Sequence, residues 1–133
     1  MSFKVEFKNY LDELHKSLCE VSDWMYENPE LGFQEFKTSK HLVDYIQKNS
    51  KSVNYPSHGL ETAFDVTFGD DGPLVVICVE YDALPEIGHA CGHNIIATAS
   101  IGAGLGLKDI ASKLGIRVKL LGTPAEEGGG GKI

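Results

Sequence analysis

The segment Glu80–Asn94 constrains this chain more than any other part of it. It combines carboxylates, two imidazoles and a thiol. An apolar run precedes it, and a pattern rich in glycine and alanine follows it. Thiolate and imidazole groups are ligands that suit zinc, and nearby carboxylates can bind an ion or orient its ligands. The segment therefore predicts a metal site.

Composition limits the remaining possibilities. The chain has 133 residues, of which 42% are hydrophobic and 23% charged, so it can bury a core as a single domain. Its net charge of −7 argues against nucleic-acid binding, which needs a basic surface. No apolar run approaches the roughly 18 residues of a membrane span, so no membrane partner is expected. Three cysteines are too few and too odd in number for a disulfide framework, which favours a cytoplasmic setting.

Two amphipathic helices are predicted in the first half of the chain. Apolar residues recur at steps of three and four from Phe7 to Met25, which predicts a helix over residues 5–27. The segment Asn28–Gly32 ends it, because an asparagine before proline leaves the α region. A second helix is expected over residues 35–48. Its buried side should consist of Phe36, Ser39, Val43 and Ile46.

Strand patterns follow. Residues 62–68 alternate in part and are rich in aromatic and β-branched side chains. The continuous apolar run 74–79 predicts a central strand buried on both faces, with Cys78 in the core. A buried helix over residues 94–113 and a strand over residues 116–121 complete the pattern.

Strand, helix and strand in this order predict a βαβ unit. Its two parallel strands place their carboxyl ends at the same edge of the sheet. The predicted fold class is therefore α/β, with a helix-flanked, mostly parallel sheet. Glu80 and Asp82 follow the first strand, and the pair Glu126–Glu127 follows the second. Three glycines in the connecting helix should allow close packing: Gly102, Gly104 and Gly106.

Spacing at the predicted sheet edge suggests how a metal would be held. Cys91 and His93 can face one ion if the chain bends at Gly92, and glycine permits such a bend. A cysteine and a histidine at this spacing also occur by chance, but the nearby acids and His89 strengthen the interpretation. In an adjacent glutamate pair, one carboxylate can bind the ion. The other can then take a proton from water and pass it to a leaving nitrogen.

Four segments, in the right order, carry a family resemblance that covers nearly the whole chain. They are Asn28–Glu35, Asp82–Glu86, Gly88–Asn94 and Gly122–Glu127. Together they resemble the co-catalytic zinc metallopeptidases and amidohydrolases, which include aminoacylases, acetylornithine deacetylase, carboxypeptidases and auxin-conjugate hydrolases. The branch that the chain resembles most is that of aminobenzoyl-glutamate hydrolase and β-alanyl dipeptidases.

The resemblance implies roles for individual residues. Cys91, His93 and Glu127 would bind the metal, and Glu126 would be the general base. Asp82 would orient a ligand histidine. Two further candidates are Glu80, which stands where many relatives carry a ligating histidine or aspartate, and His89.

The implied activity is metal-dependent hydrolysis of an amide bond in a dipeptide or an N-acyl amino acid. The thiolate ligand favours Zn²⁺, with Mn²⁺ or Co²⁺ as alternatives. Residues 1–133 are expected to be an incomplete N-terminal portion of the catalytic domain, because a glycine run ends the chain directly after a motif. The lid that serves dimerisation in the family would be absent, and a full-length form is expected to be a homodimer.

Two alternatives remain open at the level of sequence. The chain could be a truncated metal-binding or regulatory protein without catalysis. It could also be an enzyme with Cys91 as a nucleophile beside His93 or His89, although nucleophile and base normally come from separate elements.

Overall fold

The computed structural model describes all 133 residues and contains four helices and one sheet of three strands. In chain order the elements are α1 (Phe3–Glu27), α2 (Phe36–Asn49), β1 (Phe64–Phe68), β2 (Leu74–Val79), α3 (His93–Leu107), α4 (Ala111–Leu114) and β3 (Arg117–Gly122). The predicted order of helices and strands is confirmed. The helix predicted over residues 94–113 is two helices, because the chain turns at Lys108–Ile110.

The first helix follows the predicted stripe. Ser2 caps α1, and its hydroxyl oxygen accepts a hydrogen bond of 3.3 Å from the Val5 amide. Leu14, Val21 and Met25 are buried, as the spacing of apolar residues predicts. This face of α1 packs mainly against α3.

The start of α2 is held by a carboxylate from the preceding loop. Glu30 accepts hydrogen bonds from the Lys37 and Thr38 amides at 3.2 and 2.6 Å, so these first-turn groups are satisfied. The prediction that Phe36 is buried is wrong, since 49% of it is exposed. At 100° per residue, Phe36 lies about 90° from the middle of the buried stripe. That stripe consists of Thr38, Ser39, Leu42, Val43 and Ile46.

The sheet has the order β1-β3-β2. Strand β2 pairs with β3 in parallel, and α3 connects them, so the predicted βαβ unit is present. Strand β1 pairs with β3 in the antiparallel direction. The α/β fold class is confirmed, but the sheet is mixed rather than mostly parallel.

The prediction that β2 is a central strand buried on both faces is wrong. Strand β3 occupies the centre, and β2 lies at an edge. Leu74, Val75 and Val76 are each 41–46% exposed, and Cys78 is exposed instead of lying in the core. A continuous apolar run identifies a strand, but it does not specify the neighbours that the strand will have.

The core lies between one face of the sheet and the helices. It joins Val66 and Leu120 of the sheet to Ile101 of α3, and all three are buried. The helix glycines allow this close approach as predicted, since a Cβ on Gly104 would lie 2.4 Å from Leu120 Cδ2. None of the helices is both long and apolar enough to cross a membrane.

Candidate metal centre

Three parts of the chain meet at one corner of the sheet. They are the end of β2, the segment after β3 and the beginning of α3. His93 Nε2 lies 3.3 Å from Glu80 Oε2, 3.7 Å from Glu126 Oε2 and 3.8 Å from Glu127 Oε1. The acids that follow the two strands therefore share a rim with His93, as the βαβ pattern predicts.

The bend at Gly92 brings the thiol and the imidazole together. Gly92 has a φ of 84°, in the left-handed region that glycine favours, and α3 begins directly after it at His93. The ligand atoms of Cys91, His93 and Glu127 all lie within 4.8 Å of one another. Tetrahedral ligands at about 2.0–2.3 Å from zinc stand roughly 3.3–3.8 Å apart, so a small closure would supply three of the four ligands of a tetrahedral ion. Sulfur, nitrogen and oxygen donors in this set fit a zinc-type ion.

The orientation of His93 suits a metal ligand. Its Nδ1 lies 2.8 Å from the Asp82 carbonyl oxygen and 3.2 Å from Asp82 Oδ1. With the Nδ1 proton donated to Asp82, Nε2 keeps its lone pair and points it toward the glutamates. Ligating histidines are commonly held in this way through their second ring nitrogen.

Asp82 connects the two sides of the centre. It is buried, and its Oδ2 accepts a hydrogen bond of 3.0 Å from the Glu127 amide. The same carboxylate thus contacts one proposed ligand through the ring and another through the backbone. This geometry suits the predicted orienting role.

A second group of candidate ligands overlaps the first. It consists of Glu80, His93 and Glu126. Because His93 Nε2 faces the glutamates of both groups and has one lone pair, it can complete only one of the two sets at a time. Lys132 already contacts the second group, with its Nζ 2.5 Å from Glu80 Oε1 and 3.5 Å from Glu126 Oε1. The group with Cys91 is therefore the better candidate for an ion.

Lys132 is a site residue that the sequence analysis missed. The hydrogen bond to Glu80 raises the pKa of its ammonium group, so Lys132 is a fixed positive charge beside the acids. It lies in the glycine-rich end of the chain, where no local pattern marks it.

The Cys91 thiol has a raised pKa because of its burial and the neighbouring Glu127. Nucleophilic cysteines have lowered pKa values, so the environment disfavours the alternative of a cysteine nucleophile. A metal ion would displace the thiol proton on binding.

His89 does not join either group of ligand atoms. It is 4% exposed, and burial lowers the pKa of its imidazole, which favours the neutral ring. The structure thus brings together all the predicted site residues except this one.

A cavity of about 390 Å³ opens beside the centre. Asp82 and Glu127 form part of its lining. Its apolar wall consists of Leu31, Phe33, Leu84 and Pro85. The cavity can therefore accept an apolar group next to the candidate ligands.

The chain is similar in sequence to several known hydrolases. No protein-family model matches it. Xaa-Arg dipeptidase of Mus musculus is 38% identical over 137 residues, which cover 92% of this chain and 32% of that protein. A p-aminobenzoyl-glutamate hydrolase chain from Escherichia coli is 30% identical over 132 residues, covering 85% of this chain and 27% of that protein.

A solved structure agrees with these sequence matches. It is a dinuclear metal-binding peptidase of the M20 family from Bacillus subtilis, with a TM-score of 0.74 and 26% identity. The match covers 87% of this chain and 36% of that one. Over nearly all of its own length, this chain is therefore similar to known dipeptidases and amidohydrolases and to a solved M20 peptidase. It spans about a third of the length of the curated relatives that it matches.

Proposed function

We propose that this chain contributes the Cys91, His93 and Glu127 ligands and the Glu126 base to a metal-dependent amidohydrolase site. The observation that carries the proposal is the convergence of the three ligand atoms within 4.8 Å, with Glu126 directly beside Glu127. The relatives named above are peptidases and amidohydrolases, which supports the same class of reaction.

The donor set favours Zn²⁺ over Mn²⁺ and Co²⁺, because thiolate is a soft ligand. A divalent ion at this site would act as a Lewis acid toward the amide carbonyl and would lower the pKa of the attacking water to about 7. Asp82 would hold the His93 ring so that Nε2 stays available, through its contacts at 2.8 and 3.2 Å.

The contacts of Glu126 support its proposed role as general base. Its Oε2 faces the His93 side of the centre at 3.7 Å, while its Oε1 lies toward Lys132 at 3.5 Å. As general base it would take a proton from water and then give it to the leaving nitrogen. The ammonium group of Lys132 would hold the Glu126 side chain on this side of the centre.

The proposed substrate is a dipeptide or an N-acyl amino acid. The names of the mouse and bacterial relatives both describe cleavage of an amide-linked amino acid. The cavity beside Glu127 would hold an apolar substituent against Phe33 and Leu84. A cytoplasmic location suits the three free cysteines. A homodimer of a full-length form is proposed from the family resemblance alone.

A second candidate function is metal binding without catalysis. It is favoured by the sharing of His93 Nε2 between both groups of candidate ligands, since these residues cannot complete two metal sites at once. A chain that holds one ion in this way would bind metal but would lack a co-catalytic pair.

Cobalt substitution tests the proposed centre. We expect Co²⁺ to give a thiolate-to-metal charge-transfer band with the wild-type chain and no such band with Cys91→Ser. Cys78→Ser is the matched control, because Cys78 is exposed on β2. A band that persists in Cys91→Ser would contradict the assignment.

An assay on metal-loaded protein separates the two candidate functions. Dipeptides and N-acyl amino acids would be incubated with wild-type and Glu126→Gln chains. Metal-dependent hydrolysis that Glu126→Gln abolishes supports the amidohydrolase. Tight metal binding without hydrolysis supports the non-catalytic candidate.

A further inference from the structure

Glu35 is a buried carboxylate that lies outside the candidate ligand set. It has no exposed surface, and it stands at the start of α2. Its Oε1 accepts a hydrogen bond of 2.8 Å from the Ala125 amide, and its Oε2 accepts one of 3.0 Å from the Thr62 hydroxyl. A buried carboxylate costs free energy unless such partners satisfy it. These two hydrogen bonds therefore connect the start of α2 to Ala125 and to Thr62.

The residue that Glu35 holds has an unusual backbone. Ala125 has a φ of 54°, a left-handed conformation that is uncommon for a residue with a side chain. Such a conformation persists only where its surroundings determine it. Two amides on the other side of the turn, those of Gly129 and Gly130, donate to the Ala125 carbonyl oxygen at 2.9 Å. Glu35 thus fixes the amide side of the residue directly before Glu126.

The same network reaches the segment after β2. The Tyr81 hydroxyl donates a hydrogen bond of 2.5 Å to the Thr62 carbonyl oxygen, and Tyr81 is fully buried next to Asp82 in the chain. Glu35 and Thr62 therefore connect both segments that carry candidate site residues.

We propose that Glu35 is a positioning residue for Glu126 and Glu127: by accepting the Ala125 amide, it sets the turn from which both carboxylates project toward His93. The proposal rests on the proposed function, because it takes Glu127 as a metal ligand. A purely structural role for Glu35 would affect stability without a separate effect on the centre.

Three variants of the 133-residue chain distinguish these roles. Glu35→Leu removes the acceptor of the Ala125 amide. Glu35→Gln keeps an oxygen that can accept this bond, so it is the conservative rescue. Thr62→Val is the matched control, because it breaks the bond to Oε2 and leaves the bond to Ala125. If Glu35→Leu does not fold, Glu35→Ala replaces it.

The first measurement is Co²⁺ affinity at a temperature where circular dichroism shows each variant folded. We expect Glu35→Leu to weaken binding at least tenfold and to change the intensity of the cobalt d–d bands, which report the coordination number. We expect Glu35→Gln and Thr62→Val to stay within about threefold of wild type. Equal Co²⁺ affinity in Glu35→Leu and wild type would overturn the proposal. It would also be overturned if the losses of Co²⁺ affinity in Thr62→Val and Glu35→Leu were proportional to their losses of stability.

The second measurement needs no metal. Amide hydrogen exchange is measured on the metal-free chain. We expect the Ala125 and Glu127 amides to lose their protection from exchange in Glu35→Leu and to keep it in Thr62→Val. Unchanged protection of Glu127 in Glu35→Leu would overturn the positioning role. If the wild-type chain binds no Co²⁺, the proposed function fails, and the exchange data still decide whether Glu35 holds the turn.

Discussion

The Asp82 carboxylate accepts a hydrogen bond of 3.0 Å from the Glu127 amide, across 45 positions of the chain. The bond joins the segment after β2 to the segment after β3. Asp82 also contacts the His93 ring, through its backbone carbonyl oxygen at 2.8 Å and its Oδ1 at 3.2 Å, so one buried residue contacts the candidate centre from two directions.

Replacing Asp82 by alanine should weaken zinc binding by about 10–100-fold, because the Glu127 amide would lose its acceptor and the carboxylate 3.2 Å from His93 Nδ1 would be removed. The contact of the His93 ring with the Asp82 backbone carbonyl would remain. Isothermal titration calorimetry would measure the dissociation constant. Asp65→Ala is a matched control, since Asp65 is also buried and contacts His58 instead of the centre. Affinity within twofold of wild type in Asp82→Ala would refute the orienting role.

Gly104→Ala should destabilise the fold. The added Cβ would lie 2.4 Å from Leu120 Cδ2, and Leu120 is fully buried in the core. Overpacking of this kind costs about 1–3 kcal/mol, and the better helix propensity of alanine offsets up to about 1 kcal/mol. Urea denaturation would measure the difference.

The neighbouring glycine of α3 gives the comparison. A Cβ on Gly102 would meet Leu18 Cδ1 at 3.0 Å, and Leu18 is only partly buried, so it can shift. We expect Gly102→Ala to be neutral or slightly stabilising. Equal losses in the two variants would mean that contact with the sheet does not decide the effect.

Val76→Lys should reduce self-association and leave stability nearly unchanged. Val76 is exposed on β2, an edge strand whose outer side has no partner strand. Apolar edge strands promote association, and an edge lysine opposes it. Sedimentation velocity over a range of concentrations would show the change.

The contrasting variant is Val118→Lys, which places the same charge at a fully buried position of β3. It should unfold the chain. If Val76→Lys associates as strongly as wild type, the exposed edge is not the surface involved.

Glu35 should make stability depend on pH. Burial raises the pKa of Glu35 above its ordinary value of 4.5. Between pH 4.5 and this raised pKa, Glu35 binds more protons in the folded chain than in the unfolded chain. The free energy of unfolding therefore falls as pH rises through this range. The stability of wild type relative to Glu35→Gln should therefore decrease as pH is raised from 4.5.

Denaturation of both chains at a series of pH values would measure this difference. Glu61→Gln serves as the control, because Glu61 is exposed. A constant difference between wild type and Glu35→Gln across the range would show that Glu35 has the same pKa in both states.

Local sequence patterns were sufficient for the buried stripe of α1 and for the approach of Cys91 to His93. The apolar stripe of α1 and the glycine between Cys91 and His93 act over a few residues, so their consequences can be read from spacing. The βαβ order also predicted that Glu126 and Glu127 would meet His93, because parallel strands end at one edge.

Tertiary structure alone decided the features that depend on contacts between distant segments. The position of β2 at the sheet edge depends on which strand pairs with β3, and an apolar run carries no such information. The contact of Lys132 with Glu80 and that of Glu35 with Ala125 span 52 and 90 positions of the chain. Contacts of this kind arise only when the whole chain packs. Local spacing therefore indicated which residues could bind a metal, and packing determined which groups surround them.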